Sequence, residues 1–328
     1  VSEQTVQIHH IASIDYHWRI HPGSSSVSLE SKPYVPEAQV LVINQHLQRQ
    51  QLAAEAAMHP HSGFQIRWQV DPQAPIPVLP LTWGQGQASP DELQSCIQSL
   101  LTTSHAYLPI EHSLASLMAT IDSDWNQSTR LELNCKLLRL GDLMVNRQAK
   151  ADQEGVLLFV SAQASLTKLE PLAELLSWTS LHPMIGFCGS LVCDSEGKIL
   201  DAGIIIDDNG RPISLYYQSQ PQEPTLFPSP LWYRNWRAAS PLCAAIKVRA
   251  FAAVGGFPEA PDFQHSFIEL CRRIHDSGLR GISNPHSKIN VQTSSVADWL
   301  KPTDPLGWFV NEPYFNPHLV AGLPIRFA

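Results

Sequence analysis

The chain lacks long hydrophobic runs and clusters of positive charge. No apolar stretch approaches the roughly 20 residues that a bilayer-spanning helix needs, and residues 1–4 show no signal-peptide pattern. Lys and Arg together number 22 against 30 Asp and Glu, a net charge of −8. An acidic chain without a basic run is not expected to bind nucleic acid or anionic membranes. These absences predict a soluble, cytoplasmic protein with no membrane span.

The cysteines also lack the spacing of a functional site. None of the six stands in the CxxC pattern of a zinc ribbon or a thiol oxidoreductase. They lie in mostly apolar or helical contexts, so we predict reduced core cysteines of a cytosolic protein. The six are Cys96, Cys135, Cys188, Cys193, Cys243 and Cys271.

What the chain does have is enough apolar material for a large core. With 328 residues, 44% of them hydrophobic, and nine tryptophans, it can form one large α/β domain with an extension. Residues 1–37 are polar and carry His9, His10, His17 and His21. A metal-binding module is a weaker option here, because no acidic or cysteine partner repeats at ligand spacing.

The first 75 residues are predicted to form an N-terminal extension with a βαβ-like unit. Residues 40–43 are a short apolar run typical of a strand, and residues 47–58 have apolar positions at helical spacing. Residues 64–70 alternate with period two, as a half-buried strand does. The proline-containing segment 71–75 then breaks the pattern and predicts a domain boundary.

The main domain, residues 76–328, is predicted to alternate strands and helices. Ser89 is a candidate helix N-cap, with Pro90 at the first helical position and Glu92 three residues after the cap. Such alternation indicates an α/β fold with a mostly parallel sheet flanked by helices. Ligands of such sheets bind at the C-terminal ends of the strands. The predicted strands are 76–84, 106–110, 131–140 and 156–160, and the predicted helices are 89–101, 114–121 and 142–152.

A series of short motifs runs through residues 76–320. Each motif is short, but all of them follow one another in a fixed order. They are Leu79-Pro80-Leu81-Thr82-Trp83, Asn146-Arg147-Gln148-Ala149, Leu157-Leu158-Phe159-Val160, Gly186-Phe187-Cys188-Gly189, Asp201-Ala202-Gly203, Gly255-Gly256-Phe257, Leu270-Cys271-Arg272-Arg273, Ser277-Gly278-Leu279-Arg280 and Pro285-His286.

In that order the motifs resemble family 2 glycosyltransferases of the rhamnosyltransferase-like branch. The resemblance implies a GT-A fold, a nucleotide-sugar donor and a role in polysaccharide biosynthesis. It also implies that Thr82 and, more weakly, Glu111 lie where the nucleotide is bound.

The resemblance places unsuitable residues at the remaining functional positions. The acid that holds the divalent cation falls on Gln163, and the histidine that assists it falls near Val291 or Gln292. The catalytic base falls on Phe267, and Pro241 stands in a wall that is normally open and rich in small residues. Sugar transfer needs a cation to neutralise the leaving diphosphate and a carboxylate to accept the acceptor's proton. A neutral amide is a weak ligand, and a phenyl ring accepts no proton.

We therefore predict a catalytically silent glycosyltransferase-like domain without metal or cofactor. Its partner is expected to be another protein, such as an active glycosyltransferase, or a glycan, and an aromatic-rich loop at 227–237 is a candidate recognition surface or a lid. The alternative is an active inverting transferase, metal-independent or using Mg²⁺ or Mn²⁺. Its candidate catalytic residues are Glu269, Asp262 and His265, with Asp194, Asp201 and Glu259 as further substitutes.

Overall fold

The structure is a computed structural model that describes residues 33–84, 89–109, 125–147, 154–207, 210–223, 229–292, 313–315, 319–320 and 326–327. Several predicted features lie outside these residues. They are the four N-terminal histidines, Glu111 and the predicted helix 114–121.

The described residues form six helices and fifteen strands. The helices are α1 Val35–Arg49, α2 Pro90–Thr102, α3 Gln127–Arg147, α4 Glu170–Leu181, α5 Val248–Ala253 and α6 Phe263–Asp276. The strands are β1 Ala54–His59, β2 Gly63–Trp68, β3 Ile76–Trp83, β4 Tyr107–Pro109, β5 Val156–Ser161, β6 Ala164–Ser165, β7 Ile185–Cys193, β8 Ile199–Asp201, β9 Ile204–Ile206, β10 Pro212–Ser214, β11 Arg234–Trp236, β12 Cys243–Lys247, β13 Arg280–Val291, β14 Leu319–Val320 and β15 Arg326–Phe327.

A nine-stranded sheet is the centre of the fold. Its main path runs β11-β13-β7-β12-β5-β3-β4, with β6 paired to β13 and β8 to β7. Strands β4, β3, β5, β7 and β13 point the same way, whereas β12 and β11 run against their neighbours. Helices α2, α4 and α6 pack against this sheet. The predicted α/β class with a central sheet flanked by helices is confirmed. The sheet is mixed rather than mostly parallel, because three of its eight strand pairings are parallel and five are antiparallel.

Two strands at the middle of the sheet are buried along their whole length. All six residues of β5 and all nine of β7 are buried. Continuous apolar runs are typical of strands covered on both faces. The hydrophobic core therefore covers both faces of the sheet at β5 and β7.

The predicted βαβ-like unit at the N-terminus is wrong. The residues predicted as a strand, 40–43, lie inside α1, and the predicted helix 47–58 ends at Arg49 and becomes β1. Strands β1 and β2 form an antiparallel hairpin. The run 40–43 is helical because α1 buries Leu47 and fixes the hairpin through the Asn44 side chain. The Asn44 Nδ2 donates to the Ala56 carbonyl at 3.0 Å, and the Asn44 Oδ1 accepts the Ala56 N–H at 2.7 Å. Tertiary packing here outweighs the β-propensity of a four-residue run.

The predicted strand 131–140 is also wrong, because these residues form the middle of α3. Leu133 and Leu137 are buried at a spacing of four, which places both on one face of the helix. The predicted helix 142–152 continues α3 as far as Arg147, and its remaining residues lie outside the described parts of the chain.

The cysteine prediction holds for most of the six. Cys188, Cys193, Cys243 and Cys271 are buried and all six are free thiols. Cys135 departs from it, because it lies on the exposed side of α3. Among the described helices none is both long and apolar enough to cross a membrane.

The start of α2 is formed as the sequence predicts. Ser89 Oγ accepts the N–H of Glu92 at 3.2 Å, and the Glu92 carboxylate accepts the N–H of Ser89 at 3.0 Å. Both orphan donors at the helix start are thereby satisfied.

Replacing Ser89 with alanine is expected to lower the free energy of unfolding by about 1 kcal/mol, the usual cost of losing an N-cap. Urea denaturation measures the change. Ser95→Ala, at an exposed interior position of the same helix, is the control and is expected to change stability by less than about 0.5 kcal/mol. Equal losses in both variants would contradict a capping role.

Candidate functional site

The candidate site is the edge of the sheet where β3 and β5 end and β12 begins. The Ala162 N–H donates to the Trp83 carbonyl at 2.8 Å, and the Ser161 N–H donates to the Leu242 carbonyl at 2.9 Å. These bonds hold the three segments together at the strand ends, where ligands of α/β sheets usually bind. Thr82, the predicted nucleotide contact, is buried on β3 and lies opposite Val160 of β5.

Aromatic side chains fill this edge. The Trp83 side chain is 3% exposed, and its Nε1–H donates to the Pro241 carbonyl at 2.6 Å. The Trp83 ring centroid lies 5.4 Å from that of Phe263, and the Trp125 centroid lies 5.5 Å from Phe263 on α6. Pro241 is itself buried. The wall predicted to be open in an active enzyme is therefore packed against a tryptophan.

The position predicted for the catalytic base is in the hydrophobic core. Phe267 lies in the middle of α6, is fully buried, and packs edge-on against Phe159 with ring centroids 5.0 Å apart. Phe159 belongs to β5, the strand that leads to Gln163. A phenylalanine at this point contributes packing energy and has no group that could take a proton.

The two positions predicted for metal binding lie next to each other. Strand β6 pairs with the end of β13, so that Ala164 lies opposite Val291, and the Gln163 carbonyl accepts the Gln292 N–H at 2.9 Å. Their chemistry does not fit a divalent cation, because the side chains are neutral amides and a buried valine, whereas Mg²⁺ and Ca²⁺ require carboxylate-rich oxygen ligands. No group of three or more His, Cys, Asp or Glu within the described residues could hold a metal ion.

Glu269 is held by two arginines of its own helix. The Arg272 Nε and the second guanidinium nitrogen of Arg272 donate to the Glu269 oxygens at 2.6 and 2.7 Å, and the Arg273 Nε donates at 2.9 Å. The hydrogen bond to Glu269 is the largest cause that raises the pKa of Arg272. Both carboxylate oxygens of Glu269 thus accept hydrogen bonds from arginines. The arginines lie three and four residues after Glu269, a spacing at which ion pairs stabilise a helix.

Asp262 and His265 form a hydrogen-bonded pair at the start of α6. Asp262 is the N-cap, and its Oδ1 accepts the N–H of His265 at 2.8 Å, while Oδ2 lies 2.6 Å from the His265 Nδ1. Burial opposes ionisation of Asp262, but the hydrogen bonds from the His265 side chain and backbone outweigh it and lower the pKa of Asp262. The pair consists of an ionised carboxylate that orients a buried imidazole.

Asp201 is a buried carboxyl group away from solvent. Its oxygens accept the Gly203 N–H at 3.1 Å and the Ser240 hydroxyl at 3.0 Å. Burial is the largest influence and raises the pKa of Asp201 to about 6. Of the other substitutes, Asp194 caps a turn through the Glu196 and Lys198 N–H groups, and Glu259 is exposed.

A polar group between the hairpin and the sheet was missed by sequence reasoning. Glu174 on α4 accepts from Gln65 of the hairpin at 2.6 Å and from Asn284 of β13 at 3.4 Å. Burial is the main cause that raises the pKa of Glu174. These residues are more than 100 positions apart in the chain. The nearest signal in the sequence was the Pro285-His286 motif, which follows Asn284 directly.

The aromatic loop faces both solvent and the hairpin. Trp232 is 52% exposed, whereas the neighbouring Tyr233 is partly buried and its hydroxyl accepts the N–H of Ile66 at 3.1 Å. Residues 227 and 228 lie outside the described parts. The loop therefore fixes the hairpin with one aromatic side chain and presents another to the outside.

Comparison with known proteins finds both sequence relatives and similar solved structures. No family model matches the chain. The chain is 26% identical to the O-antigen biosynthesis protein RfbC of Myxococcus xanthus, over 97% of this chain and 26% of that protein. It is 22% identical to the protein y4gI of Sinorhizobium fredii, over 87% of this chain and 32% of that protein. The crystal structure of GalNAc-T7 with UDP, GalNAc and Mn²⁺ superposes with a TM-score of 0.39 and 12% identity, over 68% of this chain and 44% of that one.

The chain thus spans about a quarter to a third of the length of the curated relatives that it matches. Nearly all of this chain takes part in the match to the O-antigen biosynthesis protein. It is a mixed α/β chain with sequence similarity to part of a protein of O-antigen biosynthesis.

Proposed function

We propose that this chain is a family 2 glycosyltransferase-like unit with a GT-A fold that has lost catalysis and acts as a binding or scaffold partner in polysaccharide biosynthesis. Its ligand is an active glycosyltransferase or a glycan. The order of motifs in residues 76–320 supports the family, and the similarity to the O-antigen biosynthesis protein supports the setting. Loss of activity with retention of the fold is common, because function depends on a few residues placed on a scaffold.

The observation that carries the proposal is the closed edge of the sheet. Trp83, Pro241 and Phe263 pack together at the ends of β3 and β5, and the base position holds the fully buried Phe267. A diphosphate needs charged or hydrogen-bonding partners in an accessible cleft, and burying it against apolar rings without such partners is strongly unfavourable.

Calorimetry with nucleotide sugars tests the proposal. UDP-, GDP- and dTDP-sugars are titrated into the protein in the presence of Mg²⁺ or Mn²⁺ at a free concentration well above the Kd of a weak metal site. We expect no metal-dependent heat and no hydrolysis or transfer, with an active family 2 enzyme as the positive control. Metal-dependent binding in the micromolar range would contradict the proposal.

One observation favours an active enzyme instead. The Asp262–His265 pair joins a carboxylate to an imidazole at 2.6 Å, the arrangement by which a histidine is oriented for proton transfer. If sugar transfer is observed with any donor, Asp262→Asn and His265→Ala should abolish it, while Glu132→Gln, at an exposed position of α3, should not. Transfer that survives both substitutions would remove this pair from the mechanism.

A further inference from the structure

The hairpin of β1 and β2 is attached to the main sheet by a small number of specific contacts. Gln65 bonds to Glu174, Ile66 bonds to Tyr233, and the Trp68 ring packs edge-on against Trp178 at 5.3 Å. Strand β2 packs against α4, and no strand of the hairpin pairs with the main sheet. The hairpin is thus held through side chains rather than through a backbone ladder.

Two histidines lie at one end of this contact. His59 of the hairpin and His286 of β13 have ring centroids 4.6 Å apart. The Ser62 hydroxyl lies between them, 2.9 Å from the His59 Nδ1 and 3.3 Å from the His286 Nε2. The Tyr233 ring lies 5.2 Å from that of His286 on the domain side.

A third histidine lies at the other end. His182, just after α4, stacks on Trp178 with an interplanar angle of 14° and meets the edge of Trp68 at 5.8 Å. Its Nδ1 accepts the N–H of Met184 at 3.1 Å. The last residue of β2 therefore rests on a tryptophan and an imidazole.

The geometry requires neutral rings at both ends. The His182 Nδ1 accepts one backbone N–H, and the His59 Nδ1 accepts the N–H of Ser62 at 3.3 Å. A ring nitrogen that accepts a hydrogen bond carries no proton, so an imidazolium cannot make these bonds. Burial, as the largest cause, lowers the pKa of His182 and of His286 to about 4, and it also lowers the pKa of His59.

The charges around the three rings are mostly positive. After burial, charge repulsion also lowers the three pKa values. Arg67 lowers the pKa of His59 and His286, and His61 that of His59. Lys247, Arg280 and His46 lower the pKa of His182. The acid that faces the hairpin is Glu174, which already accepts hydrogen bonds from Gln65 and Asn284 and whose pKa is raised, chiefly by burial. Tyr233 faces His286 with its ring, and burial, as the largest cause, raises the pKa of its phenol, so it stays neutral in this pH range. The other titratable groups of the neighbouring elements are exposed, namely Glu37 and Arg49 on α1, Glu55 on β1, Glu170 on α4 and Lys288 on β13.

We propose that the hairpin of residues 54–68 is an acid-released cover, which separates from α4 and β13 when His59, His182 and His286 take up protons. In the open form each ring regains an ordinary imidazole environment. The contribution of these rings to docking is therefore fully present above pH 6.5 and is lost as the pH falls from 6.5 towards 4. A ring whose pKa rises from about 4 to 6.5 on opening favours the open form about 20-fold more at pH 5 than at pH 7.

Hydrogen exchange resolved by peptide tests the proposal on the whole protein. After correction for the intrinsic pH dependence of exchange, the protection factors of residues 54–68 are expected to fall at least tenfold between pH 7 and pH 5, with no fall in β5. Equal loss in β5 indicates global unfolding and would overturn the proposal, as would unchanged protection of the hairpin.

Variants separate protonation from general acid sensitivity. His59→Asn and His182→Asn keep an acceptor at the δ position, and His286→Gln keeps polar atoms at the ε position, but none of the three can be protonated. The combined variant is expected to retain hairpin protection at pH 5 within about threefold of its value at pH 7. His105→Asn, at an exposed turn, is the control and should behave as the wild type. If the combined variant fails to fold, His286→Gln alone should still reduce the pH effect, and a full wild-type response in that variant would contradict a role for this ring.

Discussion

Phe267→Asp is expected to unfold most of the protein at neutral pH. The substitution removes a fully buried ring that packs on Phe159 and Phe263, and loss of a buried aromatic side chain alone costs about 3–5 kcal/mol. It also puts a carboxyl group among aromatic rings, where ionisation is opposed by desolvation. Together these effects reach the roughly 5–15 kcal/mol by which domains are usually stable.

The pH dependence identifies the buried charge. In the folded variant the pKa of the new carboxyl lies above the unfolded value of about 3.9, so its penalty is small below that value and grows as the pH rises. Circular dichroism of Phe267→Asp should show a larger folded fraction at pH 5 than at pH 7, whereas the wild type should stay folded at both. Phe267→Leu, which keeps an apolar side chain, is the control and should cost about 1–2 kcal/mol. A variant that is as stable as the wild type at pH 7 would show that this position opens onto solvent, as a catalytic base must.

Gly203→Ala is expected to destabilise the fold by about 2–5 kcal/mol, the sum of strain in a left-handed backbone and overpacking. Gly203 has φ +112°, and a Cβ here would lie 2.1 Å from the Nε1 of Trp236. Trp236 is buried and belongs to β11, so the ring has little room to move. The backbone at Gly203 and the Trp236 ring would have to move apart for an alanine to fit.

Gly255→Ala is the matched control for this prediction. Gly255 also has a positive φ, +80°, but a Cβ at this position would meet no atom within 4 Å, so only the strain of about 1–2 kcal/mol applies. Thermal or urea unfolding of both variants isolates the packing contribution. Equal losses would mean that Trp236 gives way without cost, and Gly203→Ala combined with Trp236→Phe should recover part of the difference.

The elements predicted correctly carry local signals. The capping box at Ser89 and the apolar run of β5 are specified by a few neighbouring residues, and the structure has both. The strand predicted at 40–43 rests on a short apolar run, which fits a helix as well as a strand, and the strand predicted at 131–140 likewise lies in a helix. In both cases burial decides, since Leu47 in α1 and Leu133 in α3 face the core.

The arrangement of the candidate site could be predicted only for positions that the order of the motifs along the chain places together. The neighbouring positions of Gln163 and Val291 follow from the motif order, and the structure brings them together. The packing of Trp83 against Pro241 joins residues 158 positions apart, and nothing near either residue in the sequence indicates it. Closure of the edge therefore emerges only when the strands are assembled.

Strand β12 fills the gap between β5 and β7, although it follows both of them in the chain. During synthesis the earlier strands emerge without the segment that joins them, so one half of the sheet cannot pair with the other until residues 243–247 arrive. Such late, non-local pairing slows folding and leaves strand edges uncovered for a time. The nascent chain thus depends on its C-terminal third to become a single sheet, and premature truncation before β12 should leave two unjoined pieces prone to aggregation.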